Sequence, residues 1–326
     1  MTTGNICIDA FKNLYMTTES IAACCLAKPM HSTGIDFNTD EYLTSIRNVW
    51  LTGNFPAECS NCKTAEDSNY ASRRQGSNKW YAAHNLSNTD VELLRLDYWT
   101  GDLCNLRCMI CGPRNSSAWK QELNLPNDYK KVKVNKLWRN LDLSKIQSVH
   151  FNGGEPLLSK EHEEFLASIP VKEQVHINYN TNGTVRPSVE LLELWSKFKL
   201  VQIDFSIDDI GERFEYQRFP AKWDDICANL KWFVDNCPVN CMFAVNTTVS
   251  ILNSSNLANL TAWLENNFNY NRVGDPIEYR QQLVSGRLST VGIDTRSADI
   301  VQYLNNCDRR RGTDWRTTFP ELIQIL

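Results

Sequence analysis

Cys104, Cys108 and Cys111 fall in one short segment, Cys104-Asn-Leu-Arg-Cys108-Met-Ile-Cys111. Three thiolates on one loop can cap three irons of a cubane cluster and leave the fourth iron open to an outside ligand. Zinc would need a fourth protein ligand to close its tetrahedron, and none is adjacent, so a zinc site here would have to borrow one from elsewhere in the chain. Cys59-Ser-Asn-Cys62 is a second close pair. With Cys7 and Cys24 it supplies four thiolates, enough for a closed cluster or a structural zinc, and Cys25 competes with Cys24 for one of these places. Of the 12 cysteines, Cys227, Cys237, Cys241 and Cys307 are scattered.

The elements that would hold these groups follow from hydrophobic spacing. With 326 residues the chain is long enough for about two domains. Strands are predicted at 93–98, 146–152, 174–179, 200–207, 242–249 and 277–284, and helices at 161–169, 187–198, 223–236 and 255–266, with Ser188 as an N-cap. Strands alternating with helices imply an α/β fold with a parallel sheet and right-handed crossovers. About six strand–helix units fit, fewer than the eight of a closed barrel. In such folds the site lies at the C-terminal ends of the strands, where the cysteine triplet, Gly153-Gly154-Glu155, Asn182 and Ser206 all fall. Residues before 75 alternate little. Only 41–51 reads clearly as a helix there, and the polar stretch 67–79 reads as a linker or exposed arm.

The formal net charge of −4 gives no basic excess, so a nucleic-acid partner is not expected. Arg309-Arg310-Arg311 reads as a solvated run. Residues 1–11 show no basic region followed by an apolar stretch, and the longest apolar run, 21–27, is far too short to span a bilayer, so no membrane partner is expected. The expected location is cytoplasmic. In a reducing compartment clustered cysteines read as metal or redox ligands rather than disulfides.

The triplet, together with Phe151-Asn-Gly153-Gly154-Glu155-Pro156 at the next strand end, resembles the radical SAM superfamily. The resemblance implies a partial (β/α)6 barrel. It implies a [4Fe-4S] cluster on Cys104, Cys108 and Cys111, with S-adenosylmethionine bound at its open iron. Gly153, Gly154 and Glu155 would meet the methionyl amino group, glycines allowing close backbone approach and a carboxylate suiting an ammonium. Ile110 stands where the family usually has an aromatic residue near the adenine. Asn182, in Tyr179-Asn-Thr-Asn182-Gly183, resembles the third strand end. Ser206 and Asp208, in Asp204-Phe-Ser206-Ile-Asp208, resemble the fourth, where they would meet the ribose or carboxylate of the cofactor. Arg218, in Glu215-Tyr-Gln-Arg218-Phe-Pro, would pair with the cofactor carboxylate or stand in a surface ion pair. Asn246 would line the site or cap backbone.

The N-terminal region resembles the twitch and SPASM auxiliary-cluster modules, through Cys7, Cys24-Cys25, the segment from Ile46-Arg47 to Trp50, and Gly53-Asn-Phe-Pro56-Ala-Glu-Cys59-Ser-Asn-Cys62. This implies a second [4Fe-4S] cluster on Cys7, Cys24, Cys59 and Cys62. The expected organisation is an auxiliary module over 1–80, a radical SAM barrel over 90–290 and a C-terminal helical extension over 291–326. The implied activity is reductive cleavage of S-adenosylmethionine and hydrogen abstraction, with flavodoxin or ferredoxin as electron donor. The implied substrate is a peptide or protein side chain, or alternatively a sugar or nucleotide derivative. A reading of another class, a non-enzymatic zinc-binding interaction protein, accounts for the cysteine pairs but not for the strand-end residues.

Overall fold

A computed structural model describes residues 6–32, 34–126, 137–268, 277–283, 287–290, 293 and 295–326. Val284, the predicted end of the last strand, lies outside them. In chain order the helices are α1 (Asp9–Lys12), α2 (Glu41–Leu51), α3 (Ser60–Asp67), α4 (Arg73–Ala83), α5 (Ser117–Glu122), α6 (Lys160–Ser168), α7 (Val189–Trp195), α8 (Gly211–Gln217), α9 (Trp223–Asn236), α10 (Leu257–Asn267), α11 (Ser297–Arg311) and α12 (Trp315–Thr318). The strands are β1 (Asn13–Met16), β2 (Ser20–Ala22), β3 (Met30–His31), β4 (Arg95–Trp99), β5 (Ser148–Asn152), β6 (His176–Thr181), β7 (Leu200–Ser206), β8 (Cys241–Val249) and β9 (Glu278–Leu283). The fold is α/β, and its strand pairs are mostly parallel. Among the described residues, no helix is long and apolar enough to cross a membrane.

The chain divides into two units. The first comprises residues up to Gly101, Lys131–Asn152 and Glu161–Asn178. In it β1 pairs parallel with β4 and β4 parallel with β5, while β1–β2 and β2–β3 are antiparallel. The region before residue 75, where regular structure is faint in the sequence, therefore contributes a strand beside β4. α2 follows from its pattern: Asp40 caps it by accepting from Leu43 N at 3.0 Å, and Leu43, Ile46, Arg47 and Trp50 are buried on one face. The predicted linker over 67–79 is instead largely α4. Ser72 and Gln75 form a capping box at its start. Its buried face is polar, which hides it from a hydrophobic-periodicity reading. Ser77 Oγ and Tyr81 Oη donate to Asp9 at 2.7 and 3.1 Å, and Arg73 pairs with Asp97 at 2.8 Å.

The second unit comprises Asp102–Lys130, Gly153–Lys160 and Tyr179–Leu326. β7 pairs parallel with β8, and β8 parallel with β9. Val201, Ile203 and Phe205 are buried on one face of β7, where Phe205 meets Phe233 of α9 edge-on at 5.0 Å. Ser188 caps α7, accepting from Leu191 N at 3.1 Å. The arginine run is not solvated throughout. Arg311 has only 2% of its side chain exposed and pairs with Glu122 at 3.0 Å, and Arg310 pairs with the same carboxylate. The run ends α11, where Gly312 adopts the left-handed φ of 68° that terminates the helix.

Candidate functional site

The cysteine loop begins three residues into the second unit, directly after the chain leaves β4. Its backbone is docked on the segment that follows α8: Arg107 N donates to Phe219 O at 2.7 Å and Met109 N to Gln217 O at 2.7 Å. This strand-like pairing sets residue 108 opposite residue 218. Arg218 Nη1 consequently lies 4.0 Å from Cys108 Sγ, while Nη2 pairs with Asp208 at 2.8 Å. Both partners of that ion pair are buried, at 6% and 1% exposed, so Arg218 does not stand in a surface pair. Asp208 also accepts from Thr248 N at 2.9 Å. Burial pushes the Asp208 carboxyl above its ordinary range, against the pull of Arg218.

Gly153 and Gly154 bring the turn after β5 hard against this loop. Gly153 adopts φ of 128°, open to glycine. A Cβ on Gly154 would lie 2.3 Å from Leu103 O and 2.8 Å from Asp102 C, so no larger residue fits without moving the backbone that leads into Cys104. Glu155 N donates to the same Leu103 carbonyl at 2.7 Å.

The Glu155 side chain turns inward. It accepts from Thr181 Oγ1 at 2.8 Å, Asn182 N at 2.7 Å and Leu157 N at 3.1 Å. It thereby ties the turn after β5 to the end of β6. Burial pushes its carboxyl up to about 7, and these donors and Arg218 pull the other way. Glu155→Ala would strand three donors, two of them backbone, and is expected to cost roughly 3 kcal/mol or more of folding stability. Denaturant unfolding of the variant checks this; an unchanged midpoint would show that the carboxylate clamps nothing.

Asn182 closes the other side of the loop. Its Nδ2 donates to Asn105 Oδ1 at 3.0 Å and lies 3.9 Å from Cys104 Sγ, and its Oδ1 accepts from Thr184 N at 2.9 Å. Asn105 in turn donates to Thr184 Oγ1 at 2.8 Å. Ser206 ends β7 in register with Asn246 on β8. Asn246 does not cap backbone; it donates to Asp204 at 3.2 Å and to Asn180 at 3.4 Å. Ile110 is half-buried and packs with Cys111 against the cluster that contains Met109, Trp119 and Leu304. Asn105, Thr184 and Gln217 escaped the sequence reading, since nothing in their own spacing marks them; the bonds around Asn182 give the first two a role, and the pairing of 107–109 with 217–219 gives Gln217 its own.

Burial pushes the thiols of Cys104, Cys108 and Cys111 each up to about 11, and each is raised further by another of the three. Arg218 opposes this at Cys108 and Cys111. Partly desolvated thiols that repel one another as thiolates are the donor set a positively charged metal centre stabilises. Cys104 Sγ also accepts from Leu106 N at 3.4 Å, the kind of contact that tunes cluster sulfurs. Among the described residues, no three His, Cys, Asp or Glu groups are gathered to hold a single metal ion; a cubane instead takes one thiolate per iron. The residues present therefore fit a three-cysteine [4Fe-4S] cluster.

Residues 100–252 match the model of the Radical SAM superfamily. Over these residues the chain is similar to that superfamily of enzymes. A GTP 3′,8-cyclase of Corynebacterium glutamicum (strain R) is 34% identical over 87 residues, 25% of this chain and 22% of that protein. The chain thus spans about a fifth of that relative's length. Among solved structures, native anSMEcpe with bound AdoMet has a TM-score of 0.43 at 16% identity, over 68% of this chain and 62% of that one. Streptococcus suis SuiB bound to precursor peptide SuiA has a TM-score of 0.41 at 16% identity, over 86% and 65%. The matched residues take in the triplet and every strand-end residue through Asn246, and exclude the N-terminal cysteines.

Those four lie in the first unit. Cys7, Cys24, Cys59 and Cys62 are all buried, between 7% and 9% exposed, whereas Cys25 is exposed. Burial pushes the Cys7 thiol well up, and Cys24 and Cys59 raise it further. Burial also lifts Cys59 to about 12, with Cys62 adding to the effect. Arg74, 6% exposed, feels both Cys7 and Cys62.

Proposed function

We propose that the protein is a radical SAM enzyme whose Cys104, Cys108 and Cys111 hold a [4Fe-4S] cluster that binds S-adenosylmethionine. The observation that carries the reading is the cysteine loop itself, with three interacting thiols, the central one buried, docked on 217–219 and cradled by Gly154. When bound, cluster and cofactor supply a one-electron cleavage to methionine and a 5′-deoxyadenosyl radical that takes a hydrogen atom from the substrate. The protein's own part is to bind and orient. Gly153 and Gly154 keep the turn close to the loop and offer backbone to the methionyl end. The Arg218–Asp208 pair keeps a fixed cation beside Cys108. Ser206, whose hydroxyl has no hydrogen-bond partner among the described residues, is available to a cofactor hydroxyl. Flavodoxin or ferredoxin would deliver the electron.

The substrate reading is a peptide or protein side chain. Strand alternation and register set Gln202, Asp204, Ser206, Asn246, Thr248, Arg280 and Gln282 on one face of β7–β9. A barrel interior is ordinarily packed with branched apolar residues; an amide- and hydroxyl-rich face suits a polar, hydrogen-bonding substrate. The resemblance of the N-terminal cysteines to twitch and SPASM modules favours a peptide. The match to GTP 3′,8-cyclase favours the second reading, a nucleotide-like small molecule.

The buried group Cys7, Cys24, Cys59 and Cys62 is proposed to hold a second, fully ligated [4Fe-4S] cluster, serving support or electron transfer. Iron and acid-labile sulfide counts on anaerobically purified protein test both assignments. About eight irons per chain are expected, falling to about four in Cys59→Ala with some cofactor cleavage retained. A colourless protein holding zinc and no iron would overturn the reading in favour of a zinc-binding interaction protein.

A further inference from the structure

Five backbone groups of the tripeptide Arg107-Cys108-Met109 have partners. Two are the N–H groups already paired with Phe219 and Gln217. The other three are consecutive carbonyls, and each accepts from a different side chain. Arg311 Nη2 donates to Arg107 O at 2.9 Å, Trp119 Nε1 to Cys108 O at 3.0 Å, and Tyr303 Oη to Met109 O at 2.8 Å. Two of these donors come from α11, 194 and 204 residues further along the chain and outside the matched residues.

Arg311 is the unusual member. A buried guanidinium is costly unless it is fully paired. Besides Arg107 O it holds Glu122 at 3.0 Å, lies 3.1 Å from Met109 Sδ, and sits over the rings of Trp119 and Phe219 at 4.6 and 5.2 Å. Glu122 is shared with Arg310 at 2.8 Å and Arg107 at 3.6 Å, so three guanidinium groups meet one carboxylate and the surplus charge beside the loop is positive. That charge lies against both neighbours of the central cysteine, since Arg311 reaches Arg107 O and Met109 Sδ.

We propose that Tyr303 and Arg311 are positioning residues that hold the cysteine loop in its cluster-binding shape, and that Arg311 raises the reduction potential of the cluster. The proposal rests on the cluster assignment above. A fixed cation favours the more negative, reduced cluster, and groups behind the ligands orient them and tune the metal. α11 thus serves as a clamp closing the cysteine loop from behind.

The test uses the reconstituted full-length protein under anaerobic conditions. Two quantities are read: the rate of iron loss to a chelator, and the midpoint potential of the paramagnetic signal that S-adenosylmethionine perturbs. Arg311→Met should lose iron on the order of tenfold faster and show a more negative potential. Arg311→Lys should recover the potential, because it restores the charge, but not the iron retention, because it cannot reproduce the fork. Tyr303→Phe should speed iron loss and leave the potential near the wild-type value. Wild-type iron release and potential in all three variants would overturn the clamp. An Arg311→Lys potential as negative as that of Arg311→Met would overturn its electrostatic part. Should Arg311→Met fail to fold, wild-type iron release in both Arg311→Lys and Tyr303→Phe would still overturn the clamp. A wild-type protein with no cofactor-sensitive signal would overturn the cluster assignment itself, a separate failure.

Discussion

Gly154→Ala is expected to strip iron from the three-cysteine loop, whereas Gly112→Ala, immediately after Cys111, is expected to keep it. The two glycines bracket the same loop and differ in what a methyl group would meet. At Gly154 the added carbon would lie 2.3 Å from Leu103 O, 2.7 Å from Leu103 C and 2.8 Å from Asp102 C. All three are backbone atoms, so no side chain can swing aside. The obstructed carbonyl also accepts from Glu155 N, so pushing it away breaks the bond that joins the turn to the loop. At Gly112 nothing lies within 4 Å. Forcing a methyl into a filled site costs about 1–3 kcal/mol when side chains can adjust, and more where backbone must move. Here the strain falls on the residue before Cys104, and a displaced first thiolate leaves one iron unligated. Iron counts on the two variants, read beside their thermal unfolding, check this. Equal iron in both would show that the close approach does not govern the loop.

The sequence made the chemistry legible before the architecture. Thiolates at fixed spacing and a Gly-Gly-Glu-Pro turn at a strand end are local signals, and the loop and the turn do meet, through Leu103 and Gly154. Helices with apolar faces, such as α2 and α9, were readable for the same reason. Less visible was whatever depends on partners distant in the chain. Arg218 reads as either a cofactor contact or a surface ion pair; its burial beside Cys108 follows from the pairing of 107–109 with 217–219, which no spacing reveals. Arg311 sits in a run of three arginines that looks solvated, yet Glu122 and two aromatic rings enclose it. α4 was hidden because its inner face is built on Arg74, Ser77 and Tyr81, the last two held by Asp9 of α1, rather than on aliphatic side chains. Glu155 reads from its segment as a ligand for an ammonium; that its carboxylate also clamps Thr181, Asn182 and Leu157 depends on residues up to 27 positions away and was not readable.

Replacing Cys108 has the largest effect the account predicts, because every other assignment serves that cluster. Cys108 is the central thiol of the triplet, paired across from Arg218 and enclosed by the docked backbone. Its loss should remove the open-iron cluster and leave the buried N-terminal thiols untouched, since these lie in the other unit. The most direct measurement incubates anaerobic, reconstituted protein with S-adenosylmethionine and a strong one-electron reductant, then assays 5′-deoxyadenosine. 5′-Deoxyadenosine is expected from the wild-type protein and only background from Cys108→Ala, with Cys104→Ala and Cys111→Ala equally silent. Iron-loaded wild-type protein that yields no 5′-deoxyadenosine, or cleavage that survives Cys108→Ala, would contradict it.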